Sequence, residues 1–523
     1  MPIPPSNSDS LFPVVVIGSG LAGLTAAIHL AERDIPPLVL EADSEWPGGR
    51  LAGGAPTAFE YKGRVWSFKT EHGAHALWGG YDNMFAMLDR FLQLKLCETG
   101  GEEWINRWGS QVQSVEAGSP VYKSWLPAPF HYLQLLLKPG FWSVITPLDF
   151  LSVPGILTSI LMTLGFDPIR EGIALDGLLM KDYFRGWTPN LRAAFTGLGH
   201  NLLAAASDNI TLAGFIAAMR FYTMLRRDAW KLQYLPGNSH DCLIKPLIDG
   251  IKQRGGLVMT GTRAITLTRM DEYWQVLVED ARLGGVRSID ARHVILAVEP
   301  SAAQELLTSS PDTAEKATVI KFPPVMRNAT ARLWFDASPR PGAPCGMFTG
   351  DFALDNFFWL HRLHEEFFPW HEVTGGSAIE VHLYATDDIL DQTDIMLTIL
   401  ATSEVQRAFP TLRNHFVYGA IRRNGQTQTQ FVVPTRNSLS VETPWPDILA
   451  CGDWVAHPSP SFWMERCCVT GIEAANAVLK AHEAEPFSLI PPRQPEWLAQ
   501  ALGNAVRAGR WLFTPILRML RKR

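Results

Sequence analysis

The chain has 523 residues, 47% of them hydrophobic and 11% aromatic, enough for a large core with apolar side chains left over for a greasy pocket. A net charge of −6 gives no basis for a nucleic-acid partner. The six cysteines (Cys97, Cys242, Cys345, Cys451, Cys467 and Cys468) show no zinc or iron–sulfur spacing, so no metal site is expected and the thiols read as reduced in a cytoplasm-like compartment.

Residues 1–13, MPIPPSNSDSLFP, lack the basic region and apolar run of a cleaved signal and read as a short disordered lead. Val14–Ile17 is apolar and β-branched, as a buried parallel strand should be. Gly18-Ser19-Gly20-Leu21-Ala22-Gly23 follows at once and opens an Ala/Leu-rich helix. The first two glycines permit a tight turn and close approach to a pyrophosphate. The third lets the helix pack on its strand, and the helix N-terminus offers unpaired N–H groups to the phosphates. A second strand, Leu38–Leu40, ends in Glu41 and Ala42, about twenty residues on, where a carboxylate can accept from a ribose diol. Strand, glycine turn, helix and acid together indicate a dinucleotide site.

Pro47-Gly48-Gly49-Arg50 extends this motif, and with it the chain resembles the flavoprotein group of amine oxidases and carotenoid desaturases. The resemblance implies FAD, with Gly49 and Arg50 beside the pyrophosphate. Glu71-His72-Gly73-Ala74-His75, followed by Gly80-Tyr81-Asp82-Asn83, is similar to a segment of the plant-type desaturases. There the small residues Gly73 and Ala74 lie against the isoalloxazine ring. His72 and His75 have a spacing a metal could use, but no carboxylate or cysteine cluster accompanies them.

Leu133–Phe166 is mostly apolar, and Phe150–Phe166 is free of charge. A spanning helix, an insertion dipping into one leaflet or lining the mouth of an apolar tunnel, and a buried helical lobe all fit that stretch. Further on, Phe215-Ile216-Ala217 and Arg220-Phe221 precede the turn Leu235–Ser239, again in phytoene-desaturase order. The resemblance puts Arg220 beside the flavin cavity, although a solvated helix-surface arginine fits equally. Leu257–Thr260, Ala264–Leu267, Trp274–Val278 and Val294–Ala297 read as a small meander returning to the Rossmann sheet. In the family, the backbone at Ala264 clasps the adenine.

Ala329–Asp336 resembles a desaturase strand, and Thr330 stands where amine oxidases usually carry a lysine linked through water to flavin N5. Ile448–Ala450 ends in Cys451-Gly452-Asp453, and a small-residue helix follows from Met464-Glu465. By family analogy Gly452 and Asp453 hold the ribityl chain, and the helix start at Met464 faces flavin O2. The tail, 507–523, mixes aromatic and basic residues as a surface-lying helix would, with Pro515 kinking it or moving its start.

The fold expected is α/β: a Rossmann-type FAD-binding domain, parallel sheet plus β-meander, with a mixed α+β substrate domain formed by insertions. The FAD-binding parts are drawn at 1–118, 236–335 and 441–485. Substrate parts are drawn at 119–235 and 336–440, and an amphipathic tail at 486–523. The resemblance implies an FAD-dependent oxidoreductase that desaturates or isomerises a long apolar polyene such as a carotenoid, by hydride transfer to flavin N5. Arg220 and His75 are the candidate catalytic side chains. A quinone acceptor and a peripheral, monotopic position on the cytoplasmic side of a membrane follow from a lipid-soluble substrate. An amine oxidase acting on another substrate, and a flavin-loaded scaffold that never turns over, are the alternatives.

Overall fold

A run of valines, Val14 to Val16, lies fully buried in the middle of a seven-stranded sheet, in a computed structural model that describes residues 11–521. The side chains of residues 426 and 513–521 are outside that description, as are residues 1–10 of the lead and the last two residues. The first strand starts inside the lead, at Phe12, and ends at Ile17. It pairs in parallel with Leu38–Leu40 on one side and with the end of Gly285–Leu296 on the other. Both faces of a parallel strand are covered, which is why the run is apolar without alternation.

Strand Gly285–Leu296 serves two arrangements. Its first half pairs antiparallel with Trp274–Asp280, itself paired with Thr262–Arg269; its second half runs parallel with Phe12–Ile17 and with Ile448–Ala450. Leu257–Met259, expected in the meander, instead extends the parallel sheet beside Leu38–Leu40. Helix Leu21–Glu32 packs on the long helix Trp463–Ala481. Gly471 permits that approach, since a Cβ there would sit 2.7 Å from the Ala22 carbonyl oxygen. The beginning and the end of the dinucleotide unit are thereby fused into one layer.

A second, mixed seven-stranded sheet runs Phe416–Thr429, Val325–Phe335, Ser377–Leu383, Asn356–Trp359, Cys345–Gly350, Glu102–Trp108, Gln111–Ala117. The boundaries drawn from sequence are corrected here. Glu102–Ala117 and Val325–Phe335 belong to this sheet, not to the dinucleotide unit, because strand partners are fixed by contacts far along the chain.

A helical insertion packs against the second sheet, through Pro139–Val144 on Gln111–Ala117 and Pro189–Leu203 on Cys345–Gly350. Pro147–Gly165 is long and apolar enough, by length and composition, to cross a membrane, and about a third of it is buried. It is built of a short 3₁₀ segment, Pro147–Ser152, and the helix Val153–Gly165. The C-terminal helix, Trp497–Arg521, lies against it and begins well before Pro515. Arg510 ties this helix to the protein's own surface through Glu171 at 2.9 Å and the Gly165 carbonyl.

Candidate active site

One cavity of about 840 Å³ runs from the glycine turn of the parallel sheet to residues of the second sheet. That volume is in the range of small-molecule and cofactor sites, roughly 300–1,000 Å³. Gly18, Ser19, Gly20, Leu21, Ala22, Glu41, Ala42, Gly49 and Arg50 line one end, with Ala264, Gly452, Asp453 and Met464. Gly73, Ala74 and His75 line the middle.

The glycine turn has the shape a dinucleotide needs. Gly18 has φ +108°, and a Cβ there would come within 2.5 Å of the Ala297 carbonyl oxygen. Gly20 faces open space, with nothing within 4 Å of an added Cβ. Gly23 does not line the cavity; a Cβ there would lie 2.2 Å from the Gly18 oxygen, so it serves helix–strand packing. Helix Leu21–Glu32 starts at Gly20 with no capping side chain, leaving its first N–H groups for a phosphate. Glu41 accepts from the Ser19 N–H at 3.1 Å and the Ser19 hydroxyl, and from the Asp43 N–H at 2.9 Å. The acid therefore braces the turn as well as facing the cavity. Ala264 lines the cavity and sits at an irregularity in the pairing of Thr262–Arg269.

Arg50 and Asp453 form an ion pair at 2.6 Å. Burial alone would lower the arginine's pKa, but the Asp453 carboxylate beside it raises it further. Met464 lines the cavity, whereas Glu465 turns away. The Glu465 carboxylate accepts the N–H groups of Asn83 and Met84 at 3.0 and 2.9 Å, starting helix Asp82–Phe91. Burial pushes this carboxyl up to about 7.

Beneath the Gly73 turn lies a buried cluster of charge. Arg332 donates to Glu380 at 2.7 Å and to Glu71 at 3.0 Å. Glu71 also accepts from Ser239, N–H and hydroxyl both at 2.8 Å. Glu380 accepts the Ala74 N–H at 2.6 Å and shares a hydrogen bond with His382 Nε2 at 2.8 Å. A Cβ on Gly73 would stand 2.9 Å from that imidazole nitrogen, so a residue without a side chain is needed where the turn crosses His382. Burial would raise the Glu380 pKa, but Arg332 and His382 hold it far below the usual carboxylate range. His75 lines the cavity with Nδ1 buried and unbonded among the described residues. Burial, against the pull of Glu71, drives it down to about 4, so it is neutral near pH 7.

Arg220 is elsewhere. Its guanidinium is buried outside the cavity, bonded to Asp167 at 3.0 Å and to the carbonyls of Thr163 and Leu164 at 2.6 and 3.0 Å. A local motif cannot show that the end of helix Val153–Gly165 reaches this side chain first. Glu102, which sequence reasoning passed over, is a cavity residue. It is 2% exposed, and its Oε1 accepts the indole N–H groups of Trp104 (2.7 Å) and Trp230 (3.2 Å). Burial raises its carboxyl to about 7. Alternation in Glu102-Glu103-Trp104 was the available signal, since period two puts Glu102 on the buried face of Trp104. Tyr234, Cys345, Phe358 and Tyr384 share this end of the cavity.

A family model described as flavin containing amine oxidoreductase matches residues 21–479. A carotenoid phi-ring synthase of Chlorobaculum tepidum is 30% identical over 168 residues, 31% of this chain and 25% of that protein. A probable zeta-carotene desaturase of Synechococcus elongatus is 23% identical over 313 residues, 56% of this chain and 60% of that protein. The alignments thus span between a quarter and three-fifths of these relatives. Among solved structures, cyclohexylamine oxidase from Brevibacterium oxydans superposes with a TM-score of 0.64 at 16% identity, over 91% of this chain and all of that chain. Putrescine oxidase bound to putrescine gives 0.61 at 13% identity, over 90% of this chain and 99% of that chain. Such likeness is one of fold. The chain belongs to the flavin-containing amine oxidoreductase family.

Proposed function

We propose that the protein binds FAD along the cavity's glycine-lined end and oxidises or isomerises a long apolar polyene held at the other. The observation that carries this is the continuity of one cavity from the Gly18–Gly20 turn to the aromatic chamber of Tyr234, Phe358 and Tyr384. Gly18 and Gly20 with the start of helix Leu21–Glu32 would hold the pyrophosphate, Glu41 the ribose, and Asp453 the ribityl hydroxyls, with Arg50 as counter-charge. Bound there, FAD supplies a two-electron acceptor. The protein's own part is to keep water out of the chamber, seat the polyene, and accept or return protons. The carotenoid names of the curated relatives support the substrate class, and Thr330, in place of a lysine, speaks against ordinary amine oxidation.

A peripheral position on the cytoplasmic side of a membrane, with a quinone as final acceptor, belongs to the same proposal. It is supported by the outer face of the helical insertion, where Trp125 is 73% and Leu151 72% exposed. On the neighbouring C-terminal helix, Trp511 is 77% exposed. Apolar side chains so displayed are costly in water and gain on insertion into lipid headgroups.

The test is anaerobic absorbance of the flavin-loaded protein in liposomes with a panel of carotenes, followed by separation of the products. Flavin bleaching with a longer-wavelength product supports desaturation, and altered geometry without bleaching supports isomerisation. An amine oxidase is the second reading, favoured by Glu102, a carboxylate among aromatic rings that could pair with an ammonium. Bleaching by an amine and by no polyene would establish it.

A further inference from the structure

We propose that Tyr384, His382 and Glu380 form a proton relay that opens into the substrate end of the cavity. His382 and Tyr384 both line the cavity. The Tyr384 hydroxyl lies 2.9 Å from Nδ1 of His382, and Nε2 of His382 lies 2.8 Å from Glu380 Oε1. Glu380 is fully buried and is bonded to Arg332 at 2.7 Å, so it is a carboxylate and can only accept. Nε2 of His382 therefore carries the ring proton, and Nδ1 is left to accept the tyrosine O–H. This is the arrangement of a base oriented by a third group, with the phenol as its outward end.

The side chains bonded in the cluster beside His382 include more carboxylates than guanidinium groups. Two carboxylates, Glu71 and Glu380, are bonded to the single guanidinium of Arg332. His382 is the titratable base bonded to one of them, and an imidazolium there would balance the bonded cluster. Arg422 adds a cation nearby but bonds to the Gly53 carbonyl at 3.3 Å. His364 stands 3.7 Å from Glu71, and on the tyrosine side Asp355 accepts the Tyr384 backbone N–H at 2.6 Å. The Asn356 amide lies beside the same hydroxyl. His382 is also paired directly across the sheet with Thr330, the strand position that the family resemblance places beside the flavin.

The relay rests on the proposed polyene reading for its substrate, because a polyene that has lost a hydride to the flavin becomes a cation with acidic C–H bonds. One such proton passes to Tyr384 Oη while the tyrosine's own proton passes to Nδ1 of His382. The C–H electron pair becomes the second bond of a new C=C, and the positive charge moves from the polyene to the imidazolium beside Glu380. No electrons leave the substrate in this step, and Tyr384 ends as it began. In the reverse direction the same groups would deliver a proton.

Two measurements test it. Nitrogen-15 NMR of histidine-labelled protein, with H382Q for assignment, should find Nε2 protonated and Nδ1 bare in His382, and Y384F should shift the Nδ1 resonance. Single-turnover conversion of the responsive polyene in H2O and D2O should show a solvent isotope effect. In flavin-loaded Y384F and H382Q that effect should vanish, and product should form about a hundredfold more slowly, at the low end of general acid–base contributions of about 10²–10⁴. A protonated Nδ1 in the wild type, or wild-type rate and isotope effect in both variants, would overturn the relay. If the NMR result holds while no polyene reacts, the relay is supported and the polyene reading alone falls.

Discussion

Arg50 and Asp453, one from the Gly-Gly-Arg turn and one from the closing Gly-Asp motif, meet at 2.6 Å across the mouth of the cradle. Each was expected to serve the cofactor by itself; the structure makes each the other's partner as well. D453A leaves an arginine without its counter-charge and should cost about 3 kcal/mol of apoprotein stability. R50Q, at a residue with part of its side chain exposed, should cost less. Thermal denaturation of the two apoproteins, with the visible flavin absorbance of the loaded forms, checks both effects.

The glycine turn separates binding from folding. G20A places a methyl group in open space at a φ of −65°, which alanine adopts freely, so the apoprotein should keep its melting temperature. The same methyl group occupies the space reserved for the pyrophosphate, and flavin retention should fall sharply. G23A forces a Cβ into the Gly18 carbonyl and should unfold the parallel sheet. Equal melting temperatures for the two variants would contradict this division.

Glu102 makes stability depend on pH. Its carboxyl titrates at about 7 in the folded protein against 4.5 when free, so the folded state binds the proton more tightly than the unfolded chain. Stability should fall as pH rises through that window, by on the order of 3 kcal/mol, and no further above it. E102Q keeps an acceptor for the two indoles and removes the ionisation, so it should be more stable than wild type at pH 8 and similar at pH 4.5. Glu366 and Glu465, also raised to about 7 by burial, titrate in the same window and keep part of the slope. Chemical denaturation across this range measures the difference.

Arg220 is a structural residue. R220M abandons Asp167 and two carbonyls at the end of helix Val153–Gly165 and should lower stability by about 3 kcal/mol. The flavin spectrum of the loaded variant should match wild type. A changed spectrum with an unchanged melting temperature would return Arg220 to the cavity wall.

Local pattern carried the cradle. Leu38–Leu40 is the strand that its residues announce, and Gly18, Gly20, Glu41, Arg50, Gly452 and Asp453 all face one cavity. These positions are legible because each is set by its own backbone: a glycine at a tight turn, an acid at a strand end. Glu380, His382 and Tyr384 were not, because nothing in Ser377–Leu383 shows that Ala74 and Arg332 will converge on it. Glu102 and Val325–Phe335 were placed in the wrong layer for the same reason. Alternation reveals a strand's faces and not its neighbours.

The pairing of Ile448–Ala450 with Gly285–Leu296, and of helix Trp463–Ala481 with helix Leu21–Glu32, bears on how the protein is made. The glycine turn leaves the ribosome well before the layer that closes over it is translated. A nascent chain halted anywhere before that helix holds half a cradle and an unpaired edge of the parallel sheet. Both halves of the cradle must therefore be translated before the site can be complete, and a chain interrupted between them keeps the glycine turn without the layer that closes it.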